Sequence, residues 1–349
     1  MGMLIGHFTD DDVVVTENLK KIVVFGGNGF IGHHLARRLK SMGHWVRTVD
    51  INEYQFGSID YTDDYVIGDL RYKDVVYKNL LKDGNPIDEL YVLSSWMGGA
   101  GVIFTGEFDD EILYNSLMID LNCAKLASEL GIKVFWSGSA CCYNADVQQD
   151  PNNIGLREFR DDYPANPDSD YGFGKLTSER IYQAFRRNKG LNVRMCRFHN
   201  VFGVEGSWDN GKEKFPAAIT RKVCEARNGG EVEIWGTGEQ TRSFIYVDEA
   251  IDGVLKLMDS DYYYPVNIGS DYMISINDLA KMVIDISGKN LTIKNVPSNA
   301  IGVKGRNSDN TLCEQVLGWK PSRPLKEGME KLYKWVEQQV NLKNQSERV

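Results

Sequence analysis

Five side chains in this sequence have types and spacings suited to moving protons and hydrides: Ser139, Cys141, Tyr171, Lys175 and Lys214. Tyr171 and Lys175 stand at i and i+4, so on a helix both leave the same face, one turn apart. An ammonium close to a phenol favours the phenolate, and the pairing is expected to lower the Tyr171 pKa toward the range of a general base. Ser139, if it ends a strand, offers a hydroxyl to the same space. Cys141 brings a thiol, which beside cations can shuttle a proton and otherwise serves as a small buried hydrophobe. Cys142, one residue along an extended segment, faces the other way and suits the packing role. Lys214, in Gly211-Lys-Glu-Lys214-Phe-Pro, reads either as an ammonium that loses its proton when desolvated or as a solvated neighbour of Lys212.

These groups need a scaffold, and the chain upstream supplies one. Lys21–Phe25 is an apolar, β-branched run that reads as a buried parallel strand. Gly26-Gly-Asn-Gly29-Phe-Ile-Gly32 follows, with Ile31, Leu35 and Leu39 on one face of the next helix. Gly26 and Gly29 let the backbone turn and approach a pyrophosphate, Phe30 and Ile31 open the helix whose N-terminus faces it, and Gly32 permits close packing. Asp50, at the end of a second strand (Trp45–Asp50), can bind the ribose hydroxyls and would repel a 2′-phosphate, which favours NAD over NADP; its other reading is a turn cap. Tyr65–Leu70 reads as a third strand that either delivers Asp69 and Leu70 to an adenine or simply turns. Glu89–Ser95 is a fourth, and Trp96-Met-Gly-Gly-Ala-Gly101 is a loop able to approach nicotinamide or sugar, or a bare turn. A helix over 110–130, a strand over 132–137 and a helix over 170–188 complete an α/β alternation that predicts a Rossmann-type, doubly wound parallel sheet.

After residue 200 the elements shorten. The expected organisation is a mobile extension at 1–20, a dinucleotide-binding domain over 21–200 with 243–268 returning to it, a smaller C-terminal substrate-binding α/β domain over 201–242 and 269–341 that ends in an amphipathic helix at about 325–341, and a tail at 342–349. The 349 residues carry a net charge of -9, which disfavours nucleic acid and anionic membranes as partners. No run of about 18 apolar residues is present. Six cysteines without a CxxC spacing predict free thiols in a reducing, cytoplasmic setting. Residues 1–20 carry three consecutive aspartates and no basic stretch, so a secretion signal is not expected. His33 and His34 are adjacent but lack ligand spacing, so no metal is expected.

The glycine run together with Ser139, Tyr171 and Lys175 resembles the extended short-chain dehydrogenase/reductase family. More specific blocks, Ser139-Ala-Cys141, Arg197-Phe-His-Asn200, Glu213-Lys-Phe-Pro-Ala-Ala218, Trp235-Gly-x-Gly-x-Gln-Thr-Arg242 and Gly305-Arg-Asn-Ser-Asp-Asn310, resemble its GDP-hexose 3,5-epimerase branch. That resemblance implies a reaction skeleton. Tyr171 takes the proton of a sugar hydroxyl while a hydride leaves the same carbon for NAD, Ser139 hydrogen-bonds the resulting 4-ketone, and Lys175 holds the nicotinamide ribose. The ketone acidifies C3 and C5, where Cys141 and Lys214 are the implied acid/base pair. Gly99, Asn200, Glu213, Lys222, Gln240, Arg242 and Arg306 are implied to bind the GDP-sugar. Conversion of GDP-D-mannose to GDP-L-galactose by a homodimer paired through helices 110–130 and 171–188 is then expected. Open alternatives are a 4-epimerase or 4,6-dehydratase, whose relatives carry Thr or Glu at the Cys141 position, another GDP-hexose or GDP-heptose as substrate, and a non-catalytic NAD-binding regulator. Trp96 and Ala100 stand where the branch more often has Asp and Met; Gly138, Cys142 and Val204 also depart from it.

Overall fold

Seven apolar segments pair, all in parallel, into one sheet whose spatial order is Pro265–Ile268, Val193–Phe198, Lys133–Ser139, Glu89–Val92, Lys21–Phe25, Trp45–Asp50, Asp64–Ile67. The computed structural model describes residues 19–152, 155–298 and 302–346; the extension expected at 1–20, apart from 19 and 20, and the final three residues of the tail lie outside that description. Strands buried on both faces read as near-continuous hydrophobic runs, as Ile22 to Phe25 and Leu90 to Val92 do here. The order reverses between Lys21–Phe25 and Glu89–Val92, and the carboxyl ends of strands on either side of such a reversal form the crevice in which ligands of these sheets bind.

Two apolar layers cover the sheet. On one side Phe30–Ser41 and Val247–Asp259 join the larger cluster, which continues into Phe215–Glu225, Ile276–Ser287 and Leu325–Ser346. On the other, Asp109–Leu130 and Asp170–Lys189 pack side by side over the second cluster. The chain re-enters the main sheet through Pro265–Ile268 beside Val193–Phe198. Small sheets carry the remainder: Glu231–Trp235 pairs with Thr292–Val296, and Thr241–Ser243 lies between Met273–Ser275 and Gly305–Arg306.

Several boundaries differ from the sequence reading. The third strand stops at Ile67 and the fourth at Val92, each followed by one further backbone hydrogen bond to its neighbour, from Gly68 N–H to the Asp50 carbonyl and from Leu93 N–H to the Phe25 carbonyl. The fifth runs on to Ser139, two residues past the expected end. The last helix extends to Ser346, where Lys343 meets Asp209 at 3.2 Å and lies over the Trp208 ring. No helix of the described residues is long and apolar enough to cross a membrane.

Candidate active site

Ser139 is the last residue of the Lys133–Ser139 strand, and its Oγ accepts from the Cys141 N–H at 3.2 Å, closing a single 3₁₀ turn over Ala140–Cys142. The segment expected to be extended is therefore a turn, yet it still separates the two thiols: Cys142 is buried in a small apolar cluster, while Cys141 is half-buried. The Asp170–Lys189 helix, capped by Ser169, docks on this turn at Gly172, where an added Cβ would lie 2.3 Å from the Cys141 carbonyl oxygen. Only glycine allows that approach, and it brings Tyr171 to Ser139 and Cys141.

The expected lowering of the Tyr171 pKa is not what the structure shows. Burial pushes this phenol up, and Cys141 adds to the rise; a hydrogen bond with Ser139 and the Arg306 charge pull it back. Lys175 is committed elsewhere. Its Nζ donates to the Ser137 carbonyl at 2.8 Å and sits 5.9 Å from the centroid of the Tyr171 ring. Desolvation thus outweighs the ammonium in setting the phenol.

Cys141 accepts from Arg306 Nη1 at 3.0 Å. The same guanidinium donates through Nε to Gln148 at 2.7 Å and through Nη2 to Asp168 at 2.7 Å, so Arg306 is spent on protein partners and orients the thiol. Neither Asp168 nor Gln148 was among the residues singled out from sequence. Parallel pairing of Arg242 with Arg306 puts two guanidinia side by side, and burial together with that neighbour pushes Arg242 down to about 10. Asp168 balances the Arg306 charge, and its field also reaches Arg242.

Lys214 is the N-cap residue of Phe215–Glu225, with Pro216 in the first turn. Burial pushes its ammonium down, and the Cys141 charge opposes that shift. The two proposed acid/base groups are therefore within reach of each other's field, though 73 residues apart in sequence. Gly99 explains part of this: a Cβ there would lie 2.5 Å from the Glu213 carbonyl oxygen, so the loop after the fourth strand presses on the residue next to Lys214. Glu213 holds Arg221 at 3.0 Å through Oε1, and its buried Oε2 lacks a protein partner. Asn200, at φ 40°, donates to the Ser243 carbonyl. Lys222 and Gln240 lie nearer the rim, where they donate to the carbonyls of Glu233 at 2.7 Å and Trp235 at 3.4 Å.

At the order reversal, Gly26 adopts φ 77° and leaves no room for a Cβ against the Ser94 backbone. Asp50 accepts from Asn52 N at 3.0 Å and from Asn28 N at 3.2 Å, so it does cap its own turn and also braces the glycine loop. Asp69 is held by Arg71 at 2.6 Å, and Leu70 is buried in the second cluster. His33 and His34, read as unsuited to a metal, come within 4.8 Å of Glu205. Their ring nitrogens meet the Gly29 and Val204 carbonyls and Glu205 itself, and Arg37 donates twice to Glu205 at 3.0 Å. The cationic Arg37 already neutralises that carboxylate, so the cluster fastens the 203–206 loop to the Phe30–Ser41 helix.

Residues 22–269 match the profile of the NAD dependent epimerase/dehydratase family. The chain belongs to that family. It is 41% identical over 327 residues to GDP-mannose 3,5-epimerase of Arabidopsis thaliana, covering 93% of this chain and 84% of that one. It is 39% identical over 321 residues to GDP-mannose 3,5-epimerase 1 of Oryza sativa subsp. indica, covering 92% and 82%. In fold it is similar to the crystal structure of UDP-glucose 4-epimerase from Thermotoga maritima, with a TM-score of 0.80 at 22% identity and coverage of 92% and 99%.

The cofactor in the family's name fits the residues present. The Phe30–Ser41 helix starts at Gly29 without a side-chain cap or an acidic first turn, leaving N–H groups for a pyrophosphate. Ser94 Oγ, at the order reversal, is buried without a partner, as a group awaiting a ligand would be. Gly26, Gly29, Phe30, Ile31, Gly32 and Asp50 would hold NAD along this edge, with Tyr171 and Lys175 at its reactive end.

Proposed function

We propose that this member of the NAD dependent epimerase/dehydratase family inverts a GDP-hexose at C3 and C5 through a transient 4-ketone, with GDP-D-mannose as substrate and GDP-L-galactose as product. The carrying observation is the Cys141 thiol, held at 3.0 Å by Arg306, with Lys214 in its field and Ser139 and Tyr171 adjacent. The identity to GDP-mannose 3,5-epimerases over nine-tenths of the chain supports the choice of sugar.

Bound NAD supplies a reversible hydride acceptor. Tyr171 takes the C4 hydroxyl proton, aided by the Ser139 hydrogen bond and the Arg306 charge, which oppose part of the rise that burial causes. With a ketone at C4, the hydrogens on C3 and C5 become acidic. Cys141 and Lys214 arise from different elements, a turn after the fifth strand and the start of the Phe215–Glu225 helix. One removes a proton and the other returns one from the opposite face, which inverts the carbon. Partial burial makes the neutral amine of Lys214 easier to reach, as that role requires. Arg242, on the strand beside Arg306, supplies positive field for the diphosphate. The protein works in the cytoplasm, which suits six free cysteines, and as a homodimer through the outer faces of Asp109–Leu130 and Asp170–Lys189.

Incubation with GDP-D-mannose, followed by chromatographic separation of the nucleotide sugars, tests the reading. GDP-L-galactose is expected, and Cys141→Ala should lower its formation by about 10²–10⁴-fold while leaving bound NAD in place. Turnover of a UDP-hexose with GDP-D-mannose untouched would overturn it.

A further inference from the structure

Behind Lys175 lies a carboxylate that the reaction above does not use. Asp120, midway along Asp109–Leu130, is only 2% exposed. Its Oδ1 accepts from the Trp136 indole at 3.0 Å and from the Tyr182 hydroxyl at 3.3 Å. Trp136 also faces Lys175, whose Nζ is 5.3 Å from the centroid of the indole ring. One side chain thus touches the buried anion at its N–H and the buried cation at its face.

We propose that Asp120 is a positioning residue for the reaction, the buried counter-ion that keeps Lys175 an ammonium. This rests on the function proposed above for its catalytic consequence, but not for its chemistry. Lys175 is 4% exposed, and a lysine so enclosed loses its proton unless an anion faces it. The groups whose charges reach it are Asp120 from the neighbouring helix, Cys196 from the Val193–Phe198 strand, and Cys141 and Cys142 from the turn; Tyr171 lies beside it on its own helix. Burial pushes Cys142 up to about 12, and Cys196 and Tyr171 are pushed up as well, so these three are neutral at ordinary pH. Asp120 is the carboxylate of the set. Facing it in turn are Lys175, the Trp136 and Tyr182 donors, Ser178, and Cys123, whose thiol burial also drives up. Burial pushes the Asp120 carboxyl up, and the Lys175 charge with the Ser178, Trp136 and Tyr182 hydrogen bonds pulls it back toward the ionised form.

The direction of the effect follows. Replacing the anion by an isosteric amide removes the leading charge that opposes burial at Lys175, so its proton is lost at lower pH. Asp120→Asn keeps an oxygen for Trp136 and Tyr182. The NAD-loaded protein and its Asp120→Asn variant, both labelled at lysine Cε with ¹³C, are titrated by NMR, with the Lys175 signal assigned by its loss in Lys175→Met. The Lys175 titration in the variant should move toward acid by about one pH unit or more. Superimposable titrations would overturn it. The alkaline limb of turnover with GDP-D-mannose should move in the same direction with KM little changed. If the native protein turns over no GDP-sugar, the proposed reaction fails while the NMR titration still decides the role of Asp120.

Discussion

Cys141 and Cys142 are chemically identical neighbours that a single 3₁₀ turn assigns to different environments, one against Arg306 and one in an apolar cluster. The i, i+4 spacing of Tyr171 and Lys175 was legible because a helix fixes which face they share. The value of the Tyr171 pKa was not, since it depends on how much surrounds the ring. Asp168 and Gln148 were hidden for a different reason: their partner Arg306 lies 138 and 158 residues away in the chain. Asp120 did leave a signal. It falls on the buried face of its helix with Ile112, Ser116, Cys123 and Ala127, where a carboxylate is out of place. Glu158 accepts from the Asn267 N–H, and burial pushes its carboxyl up to about 7. An unfolded glutamate titrates at about 4.3, so between those values the native state holds more protons than the unfolded chain and stability falls as pH rises. Glu158→Gln removes that loss. The melting temperature of the variant minus that of the native protein should therefore be more positive at pH 8 than at pH 5, as thermal denaturation at both pH values will show; a constant difference would contradict it.

At the scale of elements, the strands and helices that cradle NAD were readable from apolar runs and glycine spacing, because each is a local pattern. The loop Trp96-Met-Gly-Gly-Ala-Gly101 left two readings open, and its contact with another loop was not legible in either. Gly99 lies against the Glu213 carbonyl, which links the end of the fourth strand to the start of the helix that carries Lys214. A Cβ at 2.5 Å from backbone is not accommodated by a side-chain shift, so Gly99→Ala must displace one segment or the other. The expected outcome is a loss of about 10–100-fold in kcat with melting temperature and bound NAD nearly unchanged, measured by steady-state kinetics. Full activity in the variant would show that the contact does not set the position of Lys214.

At the scale of the molecule, the parallel sheet was legible from its alternation with helices, whereas the docking of Gly305–Arg306 beside Thr241–Ser243 was not. Two-residue strands carry too little pattern to announce a partner, although this one delivers the guanidinium that holds Cys141. The outer surface of the paired helices exposes Tyr114 at 61%, Leu121 at 43% and Phe173 at 41%, and Tyr114 and Leu121 are two helical turns apart on one face. Burial of these groups against a second copy is expected, so the protein should sediment as a dimer, and Leu121→Glu combined with Phe173→Glu should yield a folded monomer. In the proposed reaction a 4-ketone lets Cys141 and Lys214 exchange hydrogens on both flanking carbons. Turnover of GDP-D-mannose in deuterated water, followed by NMR of the re-isolated nucleotide sugars, should therefore show deuterium at C3 and C5 and retained hydrogen at C4; label at neither C3 nor C5 would rule that exchange out.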